Sequence, residues 1–484
     1  MNIDQNKTPL LDALREYHER KVIPFDVPGH KHGKGLSELA EFLGQKVLEV
    51  DVNSMKCLDN LNKPTGVIKD AEDLAAKAYG ADYAYFLVNG TTSAVQGMVM
   101  SVCKPGDKII LPRNVHKSVI NAIILTGSKP VYIQPEIDGE LGIAMGISTK
   151  SVEKAIDENP DAKAILIINP TYYGATSDIG NIVKLSHDHN IRVLVDEAHG
   201  AHFAFHKEFP KSAISLGADI VSVSSHKTGG SLTQSSMLLL NEGLIKPEEV
   251  RTAIELTQTT SASYLLMTSL DVSRKALAVS GEKLLQGALD LSRYAREEIN
   301  KISGLYAFGK ELIGTDGVFD FDETKLGVNV SKLGLTGFEV YDRLRDEYNI
   351  QVELGDVYNI LAIISIGDDI ESINQLINAL KDISEKFRGT KIEFDKTPVL
   401  ENPEVVLLPR EAYYSNKKSV SLEDAEGLVS GEFIMAYPPG IPIVTPGERF
   451  TKHMIEYVKV LKRQKTLIQG PQDEDIDFIR VLDI

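Results

Sequence analysis

Seven short apolar segments alternate with segments of helical spacing between residues 66 and 245, and no other feature of the chain restricts its fold as strongly. The apolar segments are residues 83–88, 108–112, 130–134, 164–168, 193–195, 220–224 and 237–240. Strands separated by helices, such as those predicted at 151–159 and 179–189, predict an α/β fold with a mostly parallel, seven-stranded sheet covered by helices on both faces. Ligands bind beyond the carboxyl ends of the strands in such sheets, so functional residues are expected there.

The chain of 484 residues is long enough for two or three domains. We predict an N-terminal arm over residues 1–65, a large α/β domain over 66–275, a smaller α/β domain over 276–395 and a C-terminal domain over 396–484. The arm contains a predicted helix at 10–17. The smaller domain contains predicted helices at 285–302, 337–347 and 370–387 and predicted strands at 327–330, 350–352 and 360–364. Proline and glycine residues at 437–442 and 446–447 predict rigid turns near the end of the chain.

Charge and cysteine content exclude several classes of function. The 52 Lys and Arg residues against 69 Asp and Glu residues give a net charge of −17, which disfavours binding to nucleic acids or acidic membranes. Cys57 and Cys103 form no CxxC motif and no HExxH sequence is present, so neither a disulfide scaffold nor a metal site is expected. Residues 1–7 are polar and no apolar run reaches the roughly 18 residues that span a bilayer, so we predict a cytoplasmic protein.

The first predicted strand is followed by a sequence suited to phosphate binding. Gly90 permits a tight turn from the strand into a helix, and the hydroxyl groups of Thr91 and Thr92 lie at the start of that helix. Free backbone N–H groups and the positive end of the helix would add to these donors. An ordinary helix N-cap explains the same residues, and this alternative is favoured when the segment is taken alone.

The fifth predicted strand leads into Asp196-Glu197-Ala198-His199-Gly200. A carboxylate directly after a buried strand is costly unless it meets a cation or a hydrogen-bond donor. The protonated ring nitrogen of a bound cofactor would be such a partner for Asp196. A helix N-cap or a structural ion pair explains the carboxylate equally well.

The sixth predicted strand ends at Ser224 and is followed by His226 and Lys227. Desolvation and nearby cations lower the pKa of an amine and make it a nucleophile able to form a Schiff base. The alternative for Lys227 is an ordinary surface lysine. His116, which follows the second predicted strand, can stack on a flat ring or transfer protons, and its alternative is a structural histidine.

Together these strand ends provide the groups that pyridoxal phosphate requires. This cofactor has a phosphate to anchor, a ring face to cover, a pyridine nitrogen to pair and an aldehyde that reacts with a lysine. Nucleoside triphosphates and dinucleotides fit less well, because the sequence has no GxxxxGKS or GxxxxGKT motif and no GxGxxG in its first strand–helix unit. We therefore predict pyridoxal 5'-phosphate as the cofactor.

Longer motifs extend this prediction over nearly the whole chain. They are Pro28-Gly29-His30-Lys31, Asn89-Gly90-Thr91-Thr92, Arg113-Asn114-Val115-His116-Lys117-Ser118, Asn169-Pro170-Thr171-Tyr172, Asp196-Glu197-Ala198-His199-Gly200, Ser224-Ser225-His226-Lys227, Gln258-Thr259-Thr260-Ser261-Ala262-Ser263-Tyr264 and Tyr437-Pro438-Pro439-Gly440-Ile441-Pro442. With these motifs the chain resembles the fold type I, pyridoxal-phosphate-dependent ornithine/lysine/arginine decarboxylases. It is most similar to the shorter bacterial arginine decarboxylases, which lack an N-terminal wing domain. The resemblance implies decarboxylation of a basic L-amino acid in polyamine metabolism, with arginine first and lysine or ornithine as alternatives.

The resemblance also implies roles at the cofactor ring. Lys227 would bind the cofactor as a Schiff base, and Asp196 would pair with the ring nitrogen. His116 and Ala198 would cover the two faces of the ring, and His199 would lie near the ring hydroxyl.

At the phosphate, the resemblance implies contacts from Gly90, Thr91, Thr92 and Ser224. His226 is the candidate for a phosphate contact or a proton relay. Either His226 or Lys227 would return a proton to the substrate's Cα after CO2 leaves.

Recognition of a cationic side chain requires carboxylates, and the resemblance favours Glu353 over Asp356 for this role. A solvated acidic turn is the alternative for both residues. His30, in the arm, is a further candidate for substrate contact.

Sites of this family lie at a dimer interface, so the resemblance implies a homodimer or a larger homo-oligomer with shared active sites. Ser261, Ser263 and the arm at 28–33 are candidates to reach the partner's cofactor.

Two other classes of function compete with this interpretation. A fold type I aminotransferase would bind the substrate carboxylate with an arginine of the small domain, but Arg343 and Arg345 lie in a helical pattern that predicts exposure. A protein that binds the cofactor without catalysis is disfavoured, because Thr91, His116 and Lys227 are all present together with Asp196.

Overall fold

The computed structural model describes residues 4–387, 402–436, 440–463 and 467–484. Its helices are α1 (Pro9–Glu19), α2 (Ser37–Leu43), α3 (Gln45–Glu49), α4 (Val67–Tyr79), α5 (Gly90–Val102), α6 (Lys117–Thr126), α7 (Thr149–Glu158), α8 (Ile179–Asp188), α9 (Ser225–Thr228), α10 (Pro247–Thr257), α11 (Tyr264–Ile299), α12 (Gly337–Tyr348), α13 (Ile370–Phe387), α14 (Pro409–Tyr414) and α15 (Lys452–Arg463). Single 3₁₀ turns lie at Phe203–Phe205, Lys310–Leu312, Ser331–Leu333 and Glu423–Ala425.

The strands of the described residues are short, as is usual between helices. They are β1 (Tyr83–Leu87), β2 (Lys108–Pro112), β3 (Lys129–Ile133), β4 (Ile137–Asp138), β5 (Ile143–Ala144), β6 (Ala164–Ile168), β7 (Ala175–Thr176), β8 (Arg192–Asp196), β9 (Ile220–Val223), β10 (Ser236–Leu240), β11 (Tyr306–Ala307), β12 (Asp320–Phe321), β13 (Lys325–Asn329), β14 (Leu354–Gly355), β15 (Asn359–Ile363), β16 (Lys417–Ser421), β17 (Ile434–Ala436), β18 (Ile441–Val444), β19 (Ile468–Gln469) and β20 (Phe478–Leu482).

The chain divides into two compact units, each built from two stretches of sequence. The first unit comprises Met1–Ser101 and Leu194–Gln286, and the second comprises Val102–Val193 and Gly287–Ile484. The linear domain boundaries expected from the sequence describe a different partition and stay a prediction. The expected boundary at 395 lies outside the described residues.

The first unit contains β1, β10, β9 and the main part of β8, hydrogen-bonded in that order. β10 runs antiparallel to both of its neighbours, with Leu238 opposite Tyr85 and Ser222. β8 and β9 are parallel, with Leu194 opposite Ile220. Because both faces of these strands are buried, their sequences are nearly continuous apolar runs rather than alternating ones.

The second unit contains β6, β2 and β3 as parallel neighbours in that order, with Ile109 opposite both Ala164 and Pro130. A four-stranded antiparallel sheet, β11-β13-β15-β14, lies in the same unit. Its core includes buried residues of that sheet and of α12 and α13. A separate core in the last part of the unit joins α15 to β17, β18 and β20.

These observations confirm the predicted fold class, because the seven expected strands are all present and are mostly parallel. Their observed ends agree with the predicted ends to within one or two residues. The amphipathic pattern of α13 gives its bounds directly, since its buried residues Ile373, Leu376, Leu380 and Ile383 recur at helical spacing.

One predicted strand, at residues 350–352, is wrong. Asn349 adopts a left-handed conformation with φ of 55°, and the N–H of Ile350 donates to the carbonyl of Leu344 at 2.8 Å. These residues therefore terminate α12 instead of pairing in a sheet. Sheet hydrogen bonding begins with the N–H of Glu353, which donates to the carbonyl of Leu361 at 2.9 Å. Apolar composition alone did not distinguish a helix cap from a strand.

The predicted turn cluster at 437–442 is described only from Gly440 onward, because Tyr437, Pro438 and Pro439 lie outside the described residues. Gly440 has φ of 83° and precedes β18. Among the helices of the described ranges, none combines the length and apolar character needed to cross a membrane.

Candidate active site

Lys227 lies in α9, one turn of helix that begins immediately after β9. The backbone N–H of Lys227 donates to the carbonyl of Ser224 at 3.0 Å, which fixes the direction of the turn. The amine Nζ of Lys227 lies 2.8 Å from Nε2 of His199. Lys227 is half-buried and His199 is buried, so this is not the solvated lysine that the alternative interpretation describes.

Asp196 is the last residue of β8, and two hydrogen-bond donors fix the position of its carboxylate. Its Oδ1 accepts from the hydroxyl of Ser222 and from the N–H of Ala198, each at 3.2 Å. Burial raises the pKa of the Asp196 carboxyl above its ordinary value, while the positive charge of Lys227 and these hydrogen bonds act in the opposite direction. Both hydrogen bonds fall on Oδ1, so Oδ2 can accept from a further donor.

Hydroxyl groups from three elements of the first unit meet at the start of α5. The hydroxyl of Thr91 contacts that of Ser224 and lies 2.8 Å from that of Ser236. Gly90 begins the helix with φ of 74°, a conformation that glycine adopts without steric cost. Thr92 is exposed in the same first turn, where backbone N–H groups have no partner within the helix. Hydroxyls, N–H groups and the helix dipole therefore converge on one location.

His226 precedes Lys227 and has a fixed orientation. Its Nδ1 lies 2.9 Å from the carbonyl oxygen of Ser235. A carbonyl can only accept, so Nδ1 carries the proton of the neutral ring and Nε2 is the basic nitrogen.

His116 belongs to the second unit, where it is the N-cap residue of α6. Its Nδ1 accepts from the backbone N–H of Ser118 at 3.2 Å and lies 2.9 Å from the hydroxyl of the same residue. Accepting from an N–H requires an unprotonated Nδ1, so the neutral ring carries its proton on Nε2. The cap therefore fixes the orientation and the tautomer of a half-buried imidazole.

His30, in the first unit, is also held on both sides of its ring. Nδ1 accepts from the N–H of Gly33 at 3.0 Å, and Nε2 lies 3.2 Å from the carboxylate of Asp51. The ring is therefore a donor to Asp51 rather than a free group of the arm.

The two acidic candidates for substrate recognition, both in the second unit, have different environments. Glu353 is exposed. The carboxylate of Asp356 accepts from the hydroxyl of Tyr173 and from the N–H groups of Tyr358 and Asn359, at 2.8 and 2.7 Å for the latter two. Burial raises the pKa of Asp356, and the hydrogen bond from Tyr173 opposes that shift. Asp356 is thus already engaged by the protein, whereas Glu353 can meet a ligand.

The first unit thus brings Thr91, Asp196, Ala198, His199, Ser224 and Lys227 onto the ends of neighbouring elements. Two partners were not predicted from the sequence: Ser222, which holds Asp196, and Ser236, which contacts Thr91. Each is a serine inside an otherwise apolar buried strand, and such a hydroxyl requires a hydrogen-bond partner. A serine in an apolar buried strand is therefore the sequence signal that could have pointed to Ser222 and Ser236.

The arginines considered for a substrate carboxylate are paired on α12. Arg343 pairs with Glu347 at 2.5 Å and Arg345 with Asp346 at 2.6 Å. Within the described ranges, no group of three or more His, Cys, Asp or Glu side chains is arranged to hold a metal ion.

Comparison with known proteins identifies similar sequences across nearly the whole chain. Residues 8–327 match the Orn/Lys/Arg decarboxylase major domain, and residues 370–474 match the C-terminal domain of the same proteins. The chain is 47% identical to an arginine decarboxylase of Bacillus anthracis, covering 99% of this chain and 98% of that one. It is 45% identical to the arginine decarboxylase of Bacillus subtilis, with 99% of both chains covered.

A solved structure with the same fold is the lysine decarboxylase of Francisella novicida, with a TM-score of 0.85 at 22% identity. The match covers 98% of this chain and 81% of that one. At this identity the likeness concerns the fold alone.

Proposed function

We propose that this chain, which belongs to the Orn/Lys/Arg decarboxylase family, converts L-arginine to agmatine and CO2. The reaction would use pyridoxal 5'-phosphate as the cofactor. The observation that carries this proposal is the 47% identity, over 99% of the chain, to an arginine decarboxylase. Lysine and ornithine are the alternative substrates, because the family model that matches residues 8–327 covers decarboxylases of all three amino acids.

The residues of the first unit fit the proposed cofactor. A phosphate requires several donors, and the hydroxyls of Thr91 and Ser224 meet at the start of a 13-residue helix, beside Ser236, whose own hydroxyl donates to the carbonyl of Val223. A pyridine nitrogen requires an acid partner, and Asp196 is a buried carboxylate with a raised pKa and an oxygen left for one more donor. An aldehyde requires an amine, and Lys227 is half-buried beside His199.

On this proposal, Lys227 would hold the cofactor covalently through Nζ. Thr91, Thr92 and Ser224 would donate to the phosphate, and Asp196 would keep a proton on the ring nitrogen. Ala198 would contribute a small buried side chain beside the ring. His116, whose orientation is fixed by its cap, would cover a ring face, as the family resemblance implies.

Pyridoxal phosphate supplies, when bound, a conjugated ring that accepts the electron pair left on Cα when CO2 departs. The contribution of Asp196 is electrostatic, because a carboxylate beside the ring nitrogen keeps that nitrogen protonated while charge develops. Its hydrogen bonds from Ser222 and Ala198 hold the carboxylate in place before the reaction begins.

Proton transfer is assigned to residues with defined tautomers. Nε2 of His226 is the basic nitrogen of its ring and would exchange a proton with Cα. Nζ of Lys227 is the alternative donor, and its hydrogen bond with Nε2 of His199 gives it a route for exchanging that proton.

Selection of a cationic side chain is assigned to Glu353, which is exposed and carries a formal negative charge. A carboxylate accepts two parallel hydrogen bonds from a guanidinium, a geometry that an ammonium cannot match. Asp356 has a supporting role, because its carboxylate is already occupied by Tyr173 and Asn359. The role of His30 in substrate contact stays a prediction.

We also propose a homodimer as the working form. The N-terminal arm exposes large apolar side chains, including Phe25 at 94%, Phe42 at 85% and Ile23 at 76%. Exposed apolar groups of this size, close together in the sequence, are typical of surfaces that a partner covers. The cytoplasmic location and the sharing of active sites between subunits stay predictions. Sedimentation of the protein and of its Phe25→Asp variant would test the dimer, since a monomeric native protein rejects it.

The proposed reaction is tested by incubating the cofactor-loaded protein separately with L-arginine, L-lysine and L-ornithine and identifying products by mass spectrometry. Agmatine as the dominant product is expected. Cadaverine or putrescine as the dominant product would reject arginine as the substrate. Transfer of the amino group to an added α-keto acid without CO2 release would reject decarboxylation.

A further inference from the structure

Arg113 and Glu448, 335 positions apart in the sequence, form a fully buried bidentate ion pair within the second unit. Nη1 of Arg113 donates to Oε1 of Glu448 at 2.6 Å, and Nη2 donates to Oε2 at 2.8 Å. Each side chain is 1% exposed. Nη2 also donates to the carbonyl of Ile443 at 3.0 Å, and Glu448 accepts from the N–H of Thr445 at 2.7 Å. The three contacts of Arg113 join the residue that follows β2 to β18 and to the turn after it, and the Thr445–Glu448 bond lies within that turn.

The contacts around the Arg113–Glu448 pair restrict the orientation of both side chains. Burial by itself would lower the pKa of Arg113, but the Glu448 carboxylate and Tyr132 together outweigh burial and raise that pKa above its ordinary value. The guanidinium also lies over the ring of Tyr132, 5.1 Å from its centroid. The guanidinium plane of Arg113 is therefore restricted to a single orientation by two parallel charge-assisted hydrogen bonds and by the ring of Tyr132.

Only two residues, Asn114 and Val115, separate Arg113 of this ion pair from His116. Arg113, Asn114 and Val115 are buried in succession, and His116 then caps α6. On the other side of His116, the N–H of Lys117 donates to the carbonyl of Gly440 at 3.2 Å. The segment 113–117 is therefore held at both ends by residues 440–448.

We propose that Arg113 and Glu448 are positioning residues for the reaction, which fix His116 in the orientation that covers the cofactor ring. This inference rests on the proposed function, because it takes the contact between His116 and the cofactor from there. Neither residue of the pair is assigned a chemical step. Residues 440–448, in the C-terminal part of the chain, hold the segment that carries His116.

The inference is tested on a double variant that removes the pair without leaving a buried charge. Replacing both members of a buried ion pair by apolar residues is often neutral or stabilising, whereas removing one member is strongly destabilising. Arg113→Met combined with Glu448→Leu is therefore expected to fold. Its dissociation constant for pyridoxal phosphate, measured by absorbance titration of the apoprotein, is expected to rise by roughly tenfold, as displacement of an orienting group predicts.

Two further variants show whether the effect passes through His116. His116→Ala alone is expected to raise the dissociation constant to the same extent as the double variant. Adding His116→Ala to the double variant is expected to raise it no further, because residues acting through one another are not additive. Additive effects, or a double variant with the native dissociation constant, would overturn the inference.

A neighbouring ion pair provides the matched control. Arg449 donates to Glu404 at 2.7 Å in the same part of the chain, but these side chains are 40% and 65% exposed. Glu404→Gln should leave cofactor affinity unchanged. If the double variant does not fold, Arg113→Lys keeps the charge while losing the bidentate geometry, and the same affinity measurement applies. If neither folds, the pair serves folding and the specific role is rejected.

Failure of the proposed function would be recognised separately. A His116→Ala variant with native cofactor affinity and a native absorbance spectrum would remove the assigned role of His116 before the pair is tested. Native protein that binds the cofactor but releases no CO2 from L-arginine would reject the reaction and leave the affinity results for the pair standing.

Discussion

The amine of Lys227 lies 2.8 Å from Nε2 of His199, and the two residues come from different strand ends of the first unit. With Nζ as the donor, His199 accepts through Nε2, and passage of that proton to His199 would leave Lys227 a neutral amine. The neutral amine is the nucleophilic form, so the contact pairs Lys227 with a group that can take up its proton.

Lys227→Ala should remove catalysis while leaving the fold intact. Because no other amine of the site is assigned to the cofactor, borohydride reduction of the loaded variant should no longer attach cofactor mass to the protein, and agmatine formation should cease. Intact-protein mass spectrometry and a product assay measure the two effects. Lys207→Ala, which changes an exposed lysine of the same unit, should retain both properties. Native turnover in Lys227→Ala would contradict the assignment.

His199→Ala should lower kcat by about 10²–10⁴-fold, the usual contribution of a positioned proton acceptor. Cofactor attachment should persist, since Lys227 is unchanged, and this separates loss of proton transfer from loss of binding. Steady-state kinetics with L-arginine, together with the mass of the reduced protein, distinguish the two. A kcat within twofold of the native value would show that the 2.8 Å contact has no part in the reaction.

Asp196→Asn should reduce activity and stabilise the protein without cofactor. Asp196→Asn removes the carboxylate that keeps the ring nitrogen protonated, which predicts a decrease in kcat of about 10²–10³-fold.

Burial raises the pKa of Asp196 in the folded state, so the native protein binds more protons than the unfolded chain between the two pKa values. Stability of the cofactor-free protein therefore falls as pH rises through that interval.

Measuring stability against pH shows whether the raised pKa of Asp196 destabilises the cofactor-free protein. Thermal unfolding of cofactor-free native protein should lose stability from the ordinary Asp pKa upward, and Asp196→Asn should lack this loss. Ser222→Ala, which removes one hydrogen bond to the ionised carboxylate, should raise the pKa of Asp196 further and extend the loss to higher pH. Parallel stability curves for the native and Asp196→Asn proteins would contradict this account of the Asp196 site.

The fold was largely predictable because buried strands are short apolar runs that helices interrupt. Strand ends were accurate where apolar residues stop abruptly, as at Pro112 and Ile168. The prediction failed at 350–352, because a helix C-cap and a strand share the same apolar composition there. The discontinuous units could not be predicted, since they depend on which distant segments pack together.

The candidate site was predictable to the level of single residues only at strand ends. Thr91, Asp196 and Lys227 follow or close buried strands, where polar residues need an explanation. Ser222 and Ser236, which contact Asp196 and Thr91, lie in strands, where a buried hydroxyl indicates that a partner is needed, but only the alignment of the sheet shows which partner it is. Tautomers of the histidines likewise depend on contacts that no spacing in the sequence reveals.

Glu353→Gln should raise KM for L-arginine by roughly tenfold while changing stability little, because the residue is exposed and its loss removes one charge-assisted contact. Activity with L-lysine should change less, since an ammonium does not use the bidentate geometry. Steady-state kinetics with both substrates and a thermal unfolding curve provide the test. A native KM would move recognition of the cation to another carboxylate.

Tyr173→Phe should have the opposite profile, with reduced stability and a KM close to the native value. The Tyr173 hydroxyl donates to the carboxylate of Asp356, and this bond lowers a pKa that burial raises. Removing it should cost about 1–3 kcal/mol of unfolding free energy, as expected for a hydrogen bond to a charged group. It should also raise the pKa of Asp356 further, so that stability is lost over a wider interval as pH rises.

Urea denaturation at several pH values measures both effects of Tyr173→Phe, and Tyr413→Phe, which changes a tyrosine that is 53% exposed, is the control. In the Asp356→Asn background, Tyr173→Phe should have a smaller effect, because the charged acceptor is then absent. A large increase in KM without loss of stability would instead show that Asp356 contacts the substrate. Comparing Tyr173→Phe with Glu353→Gln therefore shows which carboxylate recognises the substrate cation, with Glu353 expected in that role and Asp356 expected to stabilise the fold.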